Sequence, residues 1–318
     1  MGNWTQVSYF ILGAYSDLGP LRWLYFVLTL SSYVLIVGSN LLLIALIILN
    51  RSLHQPMYLL LCSLFVNELF GSTALFPFLL FQILQDQHTV SYTLCFLQIF
   101  CIHSYGSVEF SSLALMSYDR YLAICRPLQY QRLMTPRRIS ILTAVLWTLS
   151  IGSIFVVVAM SAPLKLCGNV IPKVYCINFS IVNLACSDTS VNNIYGLVYI
   201  FTVVVLLIGL IVFSYMRILR VCFHGGRQTR QKAAQTCTPH LISLASFSFG
   251  AFFEMTQSRF DMRHTPMSLR VLLSLYFLSA QPLLSPLVYG LTLGKIRDVC
   301  RGLLQRNRQN PPEELKKL

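Results

Sequence analysis

The sequence predicts an all-α membrane protein, a bundle of seven transmembrane helices with its N-terminus outside the cell. Composition is one reason: 55% of the 318 residues are hydrophobic and only 11% are charged, whereas about a quarter of the residues in a soluble domain carry charge. Such a chain is too apolar to be soluble, so it belongs in lipid. The other two reasons are the number of apolar runs and the placement of the basic residues.

Seven apolar runs have at least the ~20 residues that a helix needs to cross the hydrocarbon core of a bilayer. An odd number of spans places the two termini on opposite sides. The runs therefore divide the chain into an outer tail 1–22, a transmembrane domain 23–291 and a cytoplasmic segment 292–318. The predicted spans are 23–49, 57–84, 94–118, 139–161, 194–216, 237–258 and 271–291.

Basic residues set the orientation. Of the 24 Lys and Arg residues, 18 lie in the segments 50–56, 119–138, 217–236 and 292–318. Because cytoplasmic segments are enriched in basic residues, these four segments are predicted to be cytoplasmic. The net charge of +13 is thus an orientation signal and a surface for anionic lipid or an acidic partner. It does not indicate nucleic-acid binding.

The outer side carries four of the ten cysteines: Cys95, Cys167, Cys176 and Cys186. Disulfides persist in an oxidising environment, and four cysteines allow three pairings between which the sequence does not choose. A bridge from the long loop 162–193 to Cys95 would fold this loop over the mouth of the bundle, which predicts an outer-facing ligand site.

Asn3 opens an Asn-Trp-Thr sequon on the predicted outer tail. A sequon on an exposed outer segment predicts N-glycosylation at this asparagine.

Two ionisable residues deep within the apolar runs, Glu68 and Glu109, mark a candidate polar core. Charge inside the membrane is costly and usually faces the interior of a bundle. Both side chains are expected to share a cavity with Asn40, Ser112 and Ser285. The alternative is that each glutamate is protonated and hydrogen-bonded between helices.

His103 and Glu254 lie nearer the outer ends of their runs, at a depth that a ligand can reach, and small residues beside His103 leave space. The alternative for each position is ordinary helix packing. The candidate ligand-binding residues are Ile102, His103, Gly106, Ser107, Tyr199, Val203, Phe249, Phe253, Glu254 and Tyr276.

The sequence has no phosphate-binding glycine loop, no HExxH and no Gly-x-Ser-x-Gly pattern, so we expect no enzyme and no cofactor. Pro77, Pro282 and Pro286 lie within spans and bend helices. Such bends suit a bundle that rearranges, either a receptor or a transporter. The odd number of spans and the lack of repeats speak against the transporter.

One short segment, MSYDRYLAICRPLQY at 116–130, closely resembles the signature of olfactory receptors, which are class A G-protein-coupled receptors. Four other motifs of that family agree in order and spacing, and the resemblance covers residues 10 to 300. FVNELFGSTALFP at 65–77 is most similar to the fish-type branch. The four motifs are GSN at 38–40, LHQPMY at 53–58, KAAQTCTPHL at 232–241 and PLLSPLVY at 282–289.

The resemblance implies a receptor in the plasma membrane of olfactory cilia. It would bind a small odorant and activate a stimulatory, olfactory-type heterotrimeric G protein, which raises cAMP. Arg120 would pair with Asp119 at rest and turn toward the G protein on activation. Tyr121 completes this motif, and Tyr215 and Tyr289 match inner tyrosines that rearrange with it.

The resemblance also implies the pairings Cys95–Cys176 and Cys167–Cys186 and a short amphipathic eighth helix that opens at 295–299. No acid stands at Ile102, where aminergic receptors carry their amine-binding aspartate, so a receptor of that class is disfavoured.

The chain departs from the family at its cation and water site. Glu68 replaces the usual aspartate, and Ser285 replaces the asparagine of the NPxxY motif. The family resemblance implies a sodium ion at Glu68 and Glu109, and these two departures put its binding in question. The longer glutamate would fill the space left by the shorter serine.

Overall fold

The computed structural model describes residues 7–15, 19–259 and 267–309, and these residues are mostly helical. Asn3 lies outside them. The helices, in chain order, are α1 Arg22–Leu49, α2 Pro56–Leu84, α3 Tyr92–Cys125, α4 Pro127–Leu133, α5 Pro136–Ser161, α6 Asn178–Asn183, α7 Ser190–His224, α8 Arg227–Arg259, α9 Met267–Thr292 and α10 Gly294–Gln309.

Several of the long helices extend beyond the apolar runs, because polar residues continue or cap them outside lipid. The Ser91 side chain accepts a hydrogen bond from the Leu94 amide and starts α3, and Thr135 does the same for Arg138 at α5. Prolines occupy the first turn of α2, α4 and α5, where a missing N–H costs nothing. Four helices of the described chain, α1, α2, α5 and α7, are long and apolar enough to cross a membrane.

Helix α3 lies at the centre of the bundle and packs against α2, α5, α7 and α8, while α1 and α9 pack against α2 and each other. Gly71 sets the closest approach of α2 to α3. A Cβ atom built on Gly71 would lie 2.5 Å from two ring atoms of Tyr105, which is well inside van der Waals contact. Glycine therefore permits the fully buried Tyr105 ring to pack directly on the α2 backbone.

The loops on the side predicted to face outward, called the outer loops below, form a small sheet that was not predicted from the sequence. Its strands are β1 Tyr9–Leu12, β2 Thr89–Ser91 and β3 Val170–Ile171, in the order β2-β1-β3. β1 pairs antiparallel with β2 and parallel with β3. The strands are short and come from segments far apart in the chain, so no local alternation of apolar and polar residues marks them.

Two disulfides fix the outer loop. Cys95 at the start of α3 is bonded to Cys176, and Cys167 is bonded to Cys186. Of the three arrangements open to four cysteines, the structure has the one that the family resemblance implies. The buried Cys95–Cys176 bridge spans 81 residues of sequence and carries the loop across the outer end of the bundle.

Candidate functional site

A cavity of about 170 Å³ lies between α3, α5, α7, α8 and α9 beneath the outer loop. Seven of the ten residues predicted to bind ligand line it, although ligand binding itself stays a prediction. These seven are Ile102, His103, Gly106, Ser107, Tyr199, Val203 and Glu254. Among the described residues, α3 contributes five of the lining residues and α7 contributes three.

The other three predicted residues, Phe249, Phe253 and Tyr276, do not line this cavity. The Phe249 side chain points away from it. This side chain is 55% exposed and packs edge-on against Tyr276, with ring centroids 5.7 Å apart. Phe247 lines the cavity instead and is buried. Two positions along an α-helix rotate a side chain by about 200°, so the two phenylalanines of α8 face opposite ways. Phe253 is also outside the cavity wall, because it lies two positions after Ala251, which faces the cavity.

Polar side chains make contacts in and above the cavity. The His103 Nδ1 atom is 2.8 Å from the carbonyl oxygen of Ile99, and the hydroxyl groups of Ser107 and Tyr199 are 2.7 Å apart. Lys173 of the outer loop donates to the Glu254 carboxylate at 2.5 Å. No pattern in the sequence indicates this ion pair, because its partners are 81 positions apart.

Deeper in the bundle, the predicted polar core brings Asn40, Glu68, Glu109 and Ser285 together in full burial. Asn67, which the sequence analysis omitted, donates to the Glu109 Oε2 atom at 2.9 Å. Asn67 lies beside Glu68 in the chain. A polar residue at this position in the second span was the feature of the sequence that could have placed Asn67 in the polar core.

Hydrogen bonds satisfy this core only in part. Gln281 donates to the Ser285 hydroxyl at 3.0 Å, and Asn40 donates to the Pro282 carbonyl at 3.0 Å. Among the described residues, neither carboxylate oxygen of Glu68 has a hydrogen-bond partner, although Ser285 lies beside it, and the Oε1 atom of Glu109 also lacks one. Ser112 is buried nearby without a hydrogen bond to the others in the described part of the chain.

The donor chemistry of these atoms fits a small hard cation, because carboxylate and amide oxygens are the ligands that such ions prefer. Within the described ranges, however, no group of three or more His, Cys, Asp or Glu side chains is arranged to hold a metal.

At the end of α3 predicted to face the cytoplasm, called the inner end, Asp119 and Arg120 form an ion pair. Both the Nε and Nη2 atoms of the arginine donate to Asp119 Oδ2. The side chains are 1% and 11% exposed. Tyr130 of α4 donates to the other carboxylate oxygen at 2.8 Å. Burial and the negative charge of Asp119 raise the pKa of the Tyr130 phenol, so this group remains a donor at physiological pH.

The three predicted inner tyrosines take different positions around this ion pair. Tyr121 packs against Phe213 of α7, with ring centroids 5.7 Å apart. The Tyr215 hydroxyl is 2.5 Å from His240 Nδ1, while Tyr289 is fully buried in the inner core.

His240 is a second residue that the sequence analysis missed. Its Nε2 atom is 2.9 Å from the carbonyl oxygen of Leu113, so one imidazole joins α7, α8 and α3. Both His240 and Tyr130 stand inside motifs that identify the family, which was the signal that could have found them.

Arg120 also lines an inner cavity of about 730 Å³ at the opposite end of the bundle from the outer cavity. Its walls come from the start of α2, the inner ends of α3 and α8, α4 and the α9–α10 junction. Gln235, Thr236 and Lys295 give these walls a polar character.

The structure is a helical membrane protein with a cavity at each end of the bundle, and comparison with known proteins gives its family. The sequence model described as "Olfactory receptor" matches residues 29–307. The match covers most of the chain, so this chain belongs to the olfactory receptor family. Its membership makes it an odorant-sensing receptor and not an enzyme.

Curated human proteins are similar over most of their length. Olfactory receptor 6N1 of Homo sapiens is 32% identical over 310 residues, which cover 96% of this chain and 97% of that protein. Olfactory receptor 11A1 of Homo sapiens is 34% identical over 307 residues, which cover 95% of each. Olfactory receptor 52B4 of Homo sapiens is 34% identical over 269 residues, which cover 84% of this chain and 85% of that protein.

Proposed function

We propose that this receptor binds a small odorant in the outer cavity and activates a stimulatory, olfactory-type heterotrimeric G protein through the inner cavity, which raises cAMP. One observation carries the proposal: the single helix α3 contributes Ile102 to the wall of the outer cavity and Arg120 to the wall of the inner one. A change in the position of α3 or its neighbours at one end therefore alters the other end.

The proposal includes a topology. Seven helices, α1, α2, α3, α5, α7, α8 and α9, cross the membrane with the tail 1–22 outside and the segment 292–318 in the cytoplasm. The distribution of basic residues supports this orientation. Helix α10 lies along the inner leaflet, where its basic residues meet anionic lipid. The receptor acts in the plasma membrane of olfactory cilia, with a glycan on Asn3.

Ligand binding acts by population shift. A ligand favours the active arrangement only to the extent that it binds that arrangement more tightly than the resting one. The cavity wall is mostly apolar, with His103, Ser107, Tyr175, Tyr199 and Glu254 as its polar groups. An odorant with an apolar body and one polar group is complementary to such a wall.

At the inner end, the Asp119–Arg120 pair is the part of the receptor that responds to activation and contacts the G protein. Asp119 holds the guanidinium while the receptor rests, and release of Arg120 exposes a charged donor to the partner. Tyr121, Tyr215 and Tyr289 rearrange with it. The burial of Asp119 supports this role, because a buried carboxylate without its cation is costly.

The polar core between the two cavities would hold a sodium ion through Glu68 and Glu109 when this ion is bound. The unpartnered carboxylate oxygens support such a site. Bound sodium would supply the positive charge that two neighbouring carboxylates lack. Agonist affinity measured with and without sodium, in the natural receptor and in Glu68→Gln, tests this role: no sodium effect in either protein would exclude it.

The main test is a cAMP assay in cells that express the receptor together with the olfactory-type G protein. Odorant-evoked cAMP should disappear in Arg120→Ala while surface expression is kept. Arg132→Ala is a matched control, since this exposed arginine of α4 lies on the same side without contacting Asp119. A ligand-dependent current or uptake without any G-protein response would contradict the proposal and favour a channel or a transporter.

A further inference from the structure

We propose that the outer cavity selects small primary amines, and that the ammonium group of the ligand replaces Lys173 at the carboxylate of Glu254. This inference rests on the proposed function, because it names the chemical class of ligand for the same cavity. It goes beyond the family, which does not fix the ligand of any one member.

Lys173 and Glu254 form an ion pair that is almost completely buried. The Lys173 Nζ atom lies 2.5 Å from Glu254 Oε1, and the two side chains are only 7% and 12% exposed. A buried carboxylate is costly unless a cation pairs with it. A positive partner therefore stabilises the Glu254 carboxylate, and another cation can take the place of Lys173.

Of the two charged groups, the carboxylate of Glu254 is the one that faces the cavity. Glu254 lines the outer cavity, whereas Lys173 approaches the carboxylate from the outer loop and, within the described chain, is not part of the cavity wall. The cavity thus presents an anion. The carboxylate comes from α8, since Ile102 of α3 cannot supply one.

A second acceptor lies beside the carboxylate. The His103 Nδ1–H group donates to the Ile99 carbonyl, which leaves Nε2 as an acceptor in the neutral imidazole. His103 lines the same cavity and lies within electrostatic reach of Glu254. An ammonium group has three donors and no acceptor, so it complements this pair. A ligand carboxylate would meet two acceptors instead.

The rest of the cavity sets the size and character of the ligand. Phe110, Ile154, Phe247 and Phe277 give it apolar walls. Its volume is about 170 Å³, and an apolar cavity of ~150 Å³ holds benzene. A single ring or a short alkyl chain that carries one amine therefore fits.

Replacement of Lys173 would also change the contacts between the outer loop and α8. The loop holds Lys173 in place, because the adjacent Val174 carbonyl accepts a hydrogen bond from Tyr15 at 2.9 Å and Cys176 is bonded to Cys95. The Lys173–Glu254 bond ties this rigid loop to α8. An amine that binds Glu254 breaks the Lys173–Glu254 bond and leaves α8 free to move. The ligand then binds the arrangement without this bond more tightly than the resting one, which is what activation by a ligand requires.

The test compares ligands that share a skeleton and differ in one group. Hexylamine, hexanol and hexanoic acid, together with benzylamine, benzyl alcohol and benzoic acid, are applied in concentration series, with cAMP as the readout and surface expression measured for every variant. In the natural receptor the amines should be at least tenfold more potent than the alcohols and acids. A hydrogen bond to a charged group corresponds to roughly a 10- to 100-fold change in affinity.

Three variants assign the effect to the ion pair. Glu254→Gln should reduce amine potency roughly 10- to 100-fold and leave alcohol potency within a fewfold. Lys173→Met should increase amine potency, because it removes the competing cation. If either variant fails to reach the surface, the double variant Lys173→Met with Glu254→Gln restores a neutral pair and should respond equally to amines and alcohols.

Asp86→Asn is the matched control. It removes the acid of another outer ion pair, Arg22–Asp86, which is exposed and lies outside the cavity wall. Amine potency should not change in this variant.

The outcomes separate the inference from the proposed function. If alcohols or acids raise cAMP while amines do not, or if Glu254→Gln leaves amine potency unchanged, amine selection is wrong and the receptor function stands. If no compound raises cAMP and Arg120→Ala does not alter basal cAMP either, the proposed function fails and the inference fails with it.

Discussion

Replacement of Tyr130 by phenylalanine should raise the basal activity of the receptor. The Tyr130 hydroxyl donates to Asp119 Oδ1 at 2.8 Å, while Arg120 occupies Oδ2. Without the hydroxyl, Asp119 keeps only the arginine, and the closed ion pair loses one of its supports. Tyr130→Phe keeps the ring and removes one oxygen, so the change is confined to this hydrogen bond.

The size of the effect follows from the contact. A hydrogen bond to a charged group contributes about 1.5–3 kcal/mol, and the lower end applies because Tyr130 is only partly buried. If the bond exists only in the resting arrangement, the loss of ~1.5 kcal/mol shifts the equilibrium roughly tenfold toward the active one. The shift appears as higher basal cAMP at equal surface expression.

The assay needs one control. Tyr118→Phe removes a hydroxyl from the neighbouring tyrosine, whose ring packs against Tyr121, and basal cAMP should stay at the natural level. If Tyr130→Phe likewise leaves basal cAMP unchanged while odorant responses persist, the hydroxyl does not hold the ion pair closed, and the reasoning is refuted.

Two further predictions concern helix packing. Gly71→Ala should lower the free energy of unfolding by about 1–3 kcal/mol, because its Cβ atom would lie 2.5 Å from the Tyr105 ring, whereas Gly38→Ala has open space and should be neutral. Thermal unfolding in detergent measures both, and equal midpoints would contradict the first. His240→Leu should cost about 1–3 kcal/mol, since it leaves the Tyr215 hydroxyl and an α3 carbonyl without their imidazole partner; an unchanged midpoint would show that the link contributes no stability.

The helices were predictable to within a few residues, because apolar length is a local property of the sequence. The run 23–49 corresponds to α1 at Arg22–Leu49, and 57–84 corresponds to α2 at Pro56–Leu84. The larger differences occur where polar residues extend a helix past the apolar run, as in α8, which begins at Arg227 rather than at 237. The thickness of the lipid sets the length of an apolar run. The helix itself continues for as long as its backbone hydrogen bonds do.

The candidate ligand pocket was predictable in part. The residue types and depths of His103 and Glu254 indicated a cavity that the structure contains. The rotation of α8 was not predictable, because aromatic residues at 247, 249, 252 and 253 surround that helix and leave no single apolar face. Packing against α9 then decides that Phe247 faces inward and Phe249 outward.

The sequence by itself determined the class of this protein: its hydrophobicity indicates a helical membrane protein, and motifs along its whole length place it among the olfactory receptors. Only the tertiary structure decided which distant groups meet, such as Lys173 with Glu254 and His240 with Tyr215. Hydrophobicity and motifs are carried by neighbouring residues, whereas a contact between two helices or between a loop and a helix depends on how the whole bundle packs.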